Sequence, residues 1–335
     1  YRKTVVAATL GLLLLAGLGM AFVVQKQFFP SSDRTEVLVS VDLPPGSAIG
    51  TTDRTVKRIE AILAPLADVK SLSAYVGGGA PRFFISANPE PPDPAFAKLI
   101  AVAQDVAARD RSITRLQQHI DRGEFPEARV RVYRLMYGPP VPWPVAFRIT
   151  GPDPLKLRQI GHQVREVMAA DRHLTNPHLD WDSRSPVLHL SMDRERLRLL
   201  GLTPQDVSQQ LQFQLEGMPI TQLRQDIRSV DVYARGAIGG KTINADQLAE
   251  LEILSRDGRK LPVSQLGRVE ARFEEPVIKR YNREPFVAVQ ADLHSGQPND
   301  VTAAVWQALA KVRAGLPAGY RIDIAGSIEQ SSKAD

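Results

Sequence analysis

Two histidines and two carboxylates fall close together in HLTNPHLDWD at 173–182: His173, His178, Asp180 and Asp182. Imidazole and carboxylate groups that converge can hold a divalent metal. Here the spacing matches no such site and no third histidine follows at ligand distance, so the segment reads as a polar loop and strand edge. RGAIGGKT at 235–242 follows a strand pattern and ends in Lys241-Thr242, as a phosphate loop does. Arg235, however, stands where the first glycine belongs, and the next helix pattern starts only at Asn244, so no helix N-terminus would meet a phosphate. That stretch reads as a surface loop. The chain has no cysteine, which removes thiolate metal sites and cysteine nucleophiles. No Gly-x-Ser-x-Gly elbow accompanies its serines. Met20, Met136, Met168, Met192 and Met218 are dispersed, whereas a soft-metal relay needs them clustered. No constellation for covalent catalysis emerges, and neither a metal nor a cofactor is expected.

The remaining unusual stretch is YVGGGAPRFF at 75–84. Gly77, Gly78 and Gly79 allow positive φ and inexpensive movement, Ala80 and Pro81 complete the segment, and Tyr75, Phe83 and Phe84 bracket it. Two readings stand side by side. One is a flexible loop over an apolar cleft; the other is an ordinary inter-strand loop with Phe83 or Phe84 in the core.

Those residues must be positioned by elements that the hydrophobic periodicity marks. EVLVSVDL at 36–43 alternates as a strand, and Val56, Ile59, Leu63 and Leu66 then line one helical face. Ser47 or Thr51 is in place to cap that helix. Strands are predicted at 69–76, 82–86 and 98–104, a helix at 107–121 and a strand at 129–135. The pattern repeats with a strand at 144–150, a helix carrying Ile160, Val164, Val167 and Met168, and near the end a strand at 285–292, a helix at 298–314 and a strand at 320–325. Amphipathic helices after alternating strands imply α+β sandwiches of the split βαβ kind. Between the last two units, 185–275 differs in texture. It has short strands, two short helices at 194–200 and 203–215, a hairpin pairing 220–225 with 230–234, and a second hairpin turn at Asp257-Gly258. It reads as an inserted domain.

Composition sets the class. With 43% hydrophobic and 24% charged residues over 335 positions, a chain of two or more packed domains is expected rather than a disordered one. The net charge of +5 is spread without like-charge blocks, and aromatics at 6% are scattered, so no nucleic-acid partner is expected. Residues 4–24, TVVAATLGLLLLAGLGMAFVV, carry no charge and have the roughly 20-residue length of a spanning helix. Arg2 and Lys3 place that end in the cytoplasm and the bulk of the chain beyond the inner membrane. A secretory signal would have a shorter apolar region, about 7–15 residues, and a small-x-small cleavage site. An anchor is therefore expected, with membrane lipid around 4–24. The chain also lacks an initiating methionine, so a fragment of a longer protein is expected.

Three segments, in order, carry a resemblance: QFFPSSDRTEVLVSVDLPPGSAIGTTD at 27–53, DRERLRLLGLTPQDVSQQLQ at 193–212 and VIKRYNREPFVAVQADLHSGQPNDV at 277–301. With the Gly-rich loop between the first two, the chain resembles the resistance-nodulation-division (RND) efflux permeases, in the hydrophobe/amphiphile branch of acriflavine-resistance type. The match is to the second periplasmic half and its preceding membrane helix. The resemblance implies a transmembrane helix at 1–26 followed by two ferredoxin-like porter subdomains, 35–142 and 143–184 with 276–330, the second interrupted by a docking subdomain at 185–275. It implies a homotrimer in the bacterial inner membrane, a periplasmic adaptor, an outer-membrane channel and export driven by proton influx. It also implies that Gly77, Gly78, Gly79, Ala80 and Pro81 form a switch loop between two pockets. Tyr75, Phe83 and Phe84 would then flank the deep pocket, and Ser40, Arg131, Tyr133, His178, Asp180 and Gln290 the outer one. The proton-carrying residues of such permeases lie on other membrane helices, and residues 4–24 hold no ionisable group. The alternatives are a single-span periplasmic scaffold or adaptor without transport activity, and a heavy-metal exporter of the same superfamily; an enzyme is not expected.

Overall fold

The computed structural model describes residues 1–335 apart from 23–31, 85–86, 138–142, 182, 237–242, 276 and 335. Helix α1 (Arg2–Phe22) is long and apolar enough to cross a membrane, and none of that span is buried. Its 21 residues extend about 32 Å, the thickness of a bilayer's hydrocarbon. The chain divides into two compact units: Tyr1–Asp182 with Val277–Asp335, and Ser183–Pro276.

The first unit opens with β1 (Glu36–Asp42), α2 (Ile49–Leu63), β2 (Val69–Val76), β3 (Phe96–Ala103), α3 (Val106–Asp121) and β4 (Arg129–Arg134). The strands form one antiparallel sheet in the order β2-β3-β1-β4. Alternation decides which face packs. Val37, Val39 and Val41 are wholly buried with Leu99, Ala101 and the apolar side of α2, Val56, Ile59 and Leu63. Asp105 caps α3, its carboxylate accepting from the Ala108 amide at 2.7 Å. Arg109, in the first turns of α3, is buried and donates to the Ser32 and Arg34 carbonyls at 2.6 and 2.7 Å, which ties the segment behind the membrane helix to the sheet.

The motif repeats with β5 (Val145–Thr150), α4 (Pro154–Ala169) and β6 (Leu174–Leu179), and the chain then enters the second unit. That unit comprises β7 (Ser185–Met192), α5 (Arg194–Leu199), α6 (Pro204–Leu215), β8 (Met218–Gln225), β9 (Arg228–Ala234), α7 (Ala245–Glu250), β10 (Glu252–Leu254), β11 (Lys260–Pro262), α8 (Val263–Leu266) and β12 (Gly267–Glu274). Its first and last strands pair from Ser185↔Glu274 to Met192↔Gly267, so the chain leaves beside where it entered. Such a neck lets a domain sit inside another without disturbing the host sheet. Val207, Ile253, Val263 and Leu266 centre a small core of its own.

Returning, the chain adds β13 (Arg280–Tyr281), β14 (Glu284–Leu293), α9 (Pro298–Ala308), α10 (Ala310–Ala314), β15 (Arg321–Gly326) and α11 (Ser327–Ala334). The host sheet runs β6-β14-β5-β15, with β13 a short hairpin partner of β14. Counted within each repeat, both sheets have the strand order of a ferredoxin-like fold. Phe147 is wholly buried and stacks on Trp306 with ring centroids 6.1 Å apart. Burial of such a ring contributes about 2–3 kcal/mol and the aromatic pairing about 1 kcal/mol more.

The sequence expectation fails locally. The strand predicted at 82–86 is not one: Arg82–Phe84 have no strand pairing, and 85–86 lie outside the described residues. Gly77 turns the chain at φ +84°, and Pro81 has no amide to give a ladder. Ser47 does not cap α2, whose N-cap is Ala48; its hydroxyl donates instead to the Pro44 carbonyl at 2.6 Å. The helix predicted at 298–314 is two, α9 and α10, meeting at Leu309. Most of the 235–242 loop lies outside the described residues; the helix after it is capped by Asn244.

Candidate functional site

In β1, β3 and β4, the residues that alternate with the core valines point to the helix-free face. The register lines up Lys98, Ser40 and Arg131 as one row across three strands, with Tyr133 two positions along β4. Lys98 is only 6% exposed, a lysine midway along the otherwise apolar strand FAKLIAVA. Its ammonium donates to Tyr133 Oη at 2.5 Å, Ser40 Oγ at 3.1 Å and Glu90 Oε1 at 2.7 Å. Burial alone would draw this ammonium's pKa down, but Tyr133 and Glu90 outweigh it and hold it above the ordinary lysine value.

The helix-free face of the second sheet supplies the opposite wall. Asp292 on β14 receives a two-pronged ion pair from Arg131, Nε to Oδ2 at 2.7 Å and Nη2 to Oδ1 at 2.6 Å. The same guanidinium lies 3.9 Å over the Trp143 ring and 4.5 Å from that of Tyr133, a geometry a lysine could not reproduce. Gln290 lies opposite His178 in the sheet, and its amide nitrogen donates to His178 Nε2 at 3.2 Å. His178 Nδ1 lies 2.7 Å from the Asn176 carbonyl, which can only accept, so Nδ1 carries the proton and Nε2 the lone pair. Burial, with Arg129, Arg131 and Lys279 nearby, pushes the His178 pKa down to about 3, so the ring is neutral. Asp180 accepts from Lys279 at 2.9 Å and from the Ala288 amide at 2.7 Å. Asp42 is held above the usual carboxylate range by burial, against the opposing pull of Arg129 and Lys98.

Between these walls is a cleft of about 600 Å³, reached by Ser40, Lys98, Arg131, Tyr133, Trp143 and Gln290. Ala80, Pro81 and Phe83 form its rim on the Gly-rich side. A second hollow of about 840 Å³ lies along the other flank of β4, and Arg131 and Tyr133 border both. The Gly-rich loop is pinned: the Gly77 amide donates to the Phe96 carbonyl at 2.9 Å, and the Asp93 amide to the Gly77 carbonyl at 3.1 Å. Gly79 touches the Glu90 arm so closely that a Cβ there would sit 2.3 Å from Glu90 Oε2 and 2.5 Å from its backbone nitrogen.

The residues singled out from sequence therefore divide. Ser40, Arg131, Tyr133, Asp180, Gln290 and Phe83 reach the cleft, whereas His178 stands behind Gln290 and Trp143. Tyr75 lies beside Lys98 across β2 and β3 but does not line the cleft. Phe84 packs off the cleft wall, its ring 6.3 Å from that of Tyr137 and 5.2 Å below the Arg34 guanidinium. The cleft is not the apolar one expected: Lys98, Glu90, Arg129, Asp42 and Lys279 also line it, and the sequence reading named none of them. Of the histidine-carboxylate segment, His173 is engaged by Asp171 at 2.8 Å, His178 and Asp180 by the partners above, and Asp182 lies outside the described residues. Among the described residues no three His, Cys, Asp or Glu side chains are grouped to hold a metal ion.

A family model, the AcrB/AcrD/AcrF family, matches residues 1–335. The swarming motility protein SwrC of Bacillus subtilis (strain 168) is 19% identical over 310 residues, 90% of this chain and 28% of that protein. Two crystal forms of a heavy metal efflux pump superpose on 99% of the chain with TM-scores of 0.73 and 0.75, at 16% identity, and the chain covers 35% and 34% of those structures. The chain thus spans about a third of the length of these relatives. The expected placement in the hydrophobe/amphiphile branch does not stand, because the two superposed structures are of a heavy metal efflux pump. The physical reason lies in what the three recognised segments do. They supply mainly scaffold, β1, the Asp193 cap of α5, the Thr203 capping box of α6 and β14, with Ser40, Asp42, Lys279 and Gln290 among their cleft residues, and a scaffold does not report a substrate. Matched from end to end by the family model, the chain belongs to the AcrB/AcrD/AcrF family, with the fold of an RND periplasmic porter domain and one membrane-spanning helix in the inner membrane.

Proposed function

We propose that the permease containing this chain exports its substrate through the cleft between the two ferredoxin-like sheets, driven by proton influx through membrane helices elsewhere in the protein. In this reading it works as a homotrimer with a periplasmic adaptor and an outer-membrane channel. Residues 35–142 and 143–184 with 276–330 are the porter subdomains, and 185–275 the docking subdomain. Gly77 to Pro81 act as the loop that switches access. The carrying observation is the Arg131–Asp292 pair at 2.6 Å, which joins the facing sheets where the cleft borders the second hollow. Well-packed apolar residues would hold two sheets together at least as firmly as a half-buried ion pair. A polar latch, by contrast, can open to water, and a porter that alternates access must open.

This chain has no cysteine, so the test needs only a permease background whose remaining residues are also free of cysteine. In the intact permease, Arg131→Cys with Asp292→Cys allows the two walls to be joined by a short bis-methanethiosulfonate reagent. Export should stop on cross-linking and return on reduction, while each single-cysteine control keeps exporting. Undiminished export from the cross-linked protein would refute the cleft as the route.

A second reading, export of a metal cation, is favoured by the heavy metal efflux pumps that share the fold. Met136 at the cleft and the neutral His178 imidazole behind it are the soft donors available. Under this reading, cells whose permease carries Met136→Ala and His178→Ala become sensitive to copper or silver. Under the first reading their metal tolerance is unchanged.

A further inference from the structure

Lys98 has three partners of two kinds. Tyr133 Oη and Ser40 Oγ are neutral and belong to strands of the same sheet, so they stay where the sheet puts them. The third, Glu90, is the carboxylate that pairs with the ammonium, and it lies on a proline-rich arm with no strand pairing. The side chain of Lys98 is 7% exposed and that of Glu90 34%, so water and solutes reach the anion of this pair while the cation is enclosed. Both residues line the cleft.

Consider what a solute entering the cleft can do there. A neutral or cationic solute can displace Glu90 only by taking from a buried ammonium the carboxylate bonded to it, leaving the more distant Asp42 as counter-charge, which is unfavourable. A solute with an anionic group replaces one negative charge by another and takes the ammonium proton that Glu90 held, beside a Ser40–Tyr133 hydroxyl pair of which one hydroxyl is used within the pair. We propose that Lys98 selects substrates carrying an anionic group (a sulfonate, carboxylate or phosphate), and that this group takes the place of Glu90 on the ammonium. The inference rests on the reading of the cleft as the transport route. The exchange has a mechanical consequence. The Glu90 carboxylate lies directly on Gly79, so its departure removes one of the contacts against which the Gly-rich loop is packed and leaves the Gly79 amide on the Glu90 carbonyl at 3.3 Å. Binding of an anion thereby loosens the loop.

Equilibrium dialysis of the 335-residue chain in detergent, against empty micelles, tests this with two probes of the same ring: 1-naphthalenesulfonate and the uncharged 1-naphthalenesulfonamide. The wild-type chain should bind the sulfonate more tightly. Lys98→Met should lower sulfonate affinity about tenfold, a change of about 1.4 kcal/mol, and move sulfonamide affinity by less than about twofold. Glu90→Gln, which alters only the more exposed partner, should raise sulfonate affinity about threefold and leave the sulfonamide unchanged. Should Lys98→Met fail to fold, the Glu90→Gln result decides. Hydrogen exchange at the Gly77 and Gly79 amides should quicken with the sulfonate and not with the sulfonamide. Equal affinity of the wild-type chain for both probes, or a sulfonate-to-sulfonamide ratio in Glu90→Gln within about twofold of wild type, overturns the proposal. These readouts involve no transport. A failed cross-linking experiment removes the route, whereas a failed affinity ratio removes the role of Lys98.

Discussion

Adding one methyl group at Gly79 should break an ion pair in which Gly79 takes no part. A Cβ built on Gly79 lies 2.3 Å from Glu90 Oε2, 2.5 Å from Glu90 N and 2.9 Å from Glu90 Cβ. Turning the side chain would relieve only Oε2; the backbone nitrogen and Cβ are fixed by the main chain, so Gly79→Ala must push the whole arm away. The Lys98–Glu90 contact is 2.7 Å long, and a shift of about 1 Å takes it beyond hydrogen-bonding reach. A hydrogen bond between charged groups contributes about 1.5–3 kcal/mol. Solvent reaches the glutamate end, which argues for the lower part of that range, about 2 kcal/mol. For a unit of this size that lowers the melting temperature by roughly 4–8 °C. Tryptophan fluorescence isolates the effect, since all 3 tryptophans, Trp143, Trp181 and Trp306, belong to the unit that contains Gly79. Gly78→Ala is the internal control: its nearest neighbour would be Pro92 Cα at 3.5 Å, an ordinary contact, and it should melt like wild type. The reasoning also predicts non-additivity. On a Lys98→Met background, where the pair no longer exists, Gly79→Ala should cost less than half as much. Equal costs on both backgrounds, or a Gly79→Ala protein that melts with wild type, would refute the link from loop to lysine.

The remaining predictions concern the opposite wall and the anchor. His178 has a folded pKa of about 3 against an unfolded value near 6.5, so the unfolded chain binds the extra proton as pH falls. Its neutral-state contribution is full above about pH 6.5 and is lost progressively toward about pH 3; His178→Gln should flatten that part of the stability-pH curve, and an unchanged slope would sink the assignment. Arg131→Met leaves Asp292 half-buried without its fork and should cost about 2–3 kcal/mol by urea unfolding, while Arg131→Met with Asp292→Asn should recover more than half of that. Leu13→Arg, at the middle of α1, should disfavour membrane insertion by roughly 3 kcal/mol, visible as a shift of the chain from the membrane to the soluble fraction.

How much of this was legible without coordinates follows from where each signal resides. The strand at 36–43 and the helix face Val56, Ile59 and Leu63 are short-range patterns, and period two or 3.6 exposes them at once. So were the two-fold repetition and the different texture of 185–275. The strand expected at 82–86 failed because Phe83 and Phe84 carry strand propensity while the Gly77 turn and Pro81 decide the backbone. The cleft is a different kind of object. Arg131 and Asp292 stand 161 residues apart, and nothing in either neighbourhood announces the other. They meet because two sheets turn their helix-free faces together, a fact of packing rather than of pattern. Yet one signal was present and passed over. Within FAKLIAVA, Lys98 is the one charge in a strand that is otherwise apolar on both faces, and a lysine is almost never enclosed unless paired. A strand of that composition asks for a counter-ion, and the proline-rich arm at 88–94, with Glu90 beside a glycine that no larger residue could replace, is where the chain provides it. The same logic separates scaffold from substrate. Capping boxes and strand alternation recur wherever the fold recurs, so they report the scaffold, whereas the proposed selection of substrate rests on a few side chains in the cleft such as Lys98.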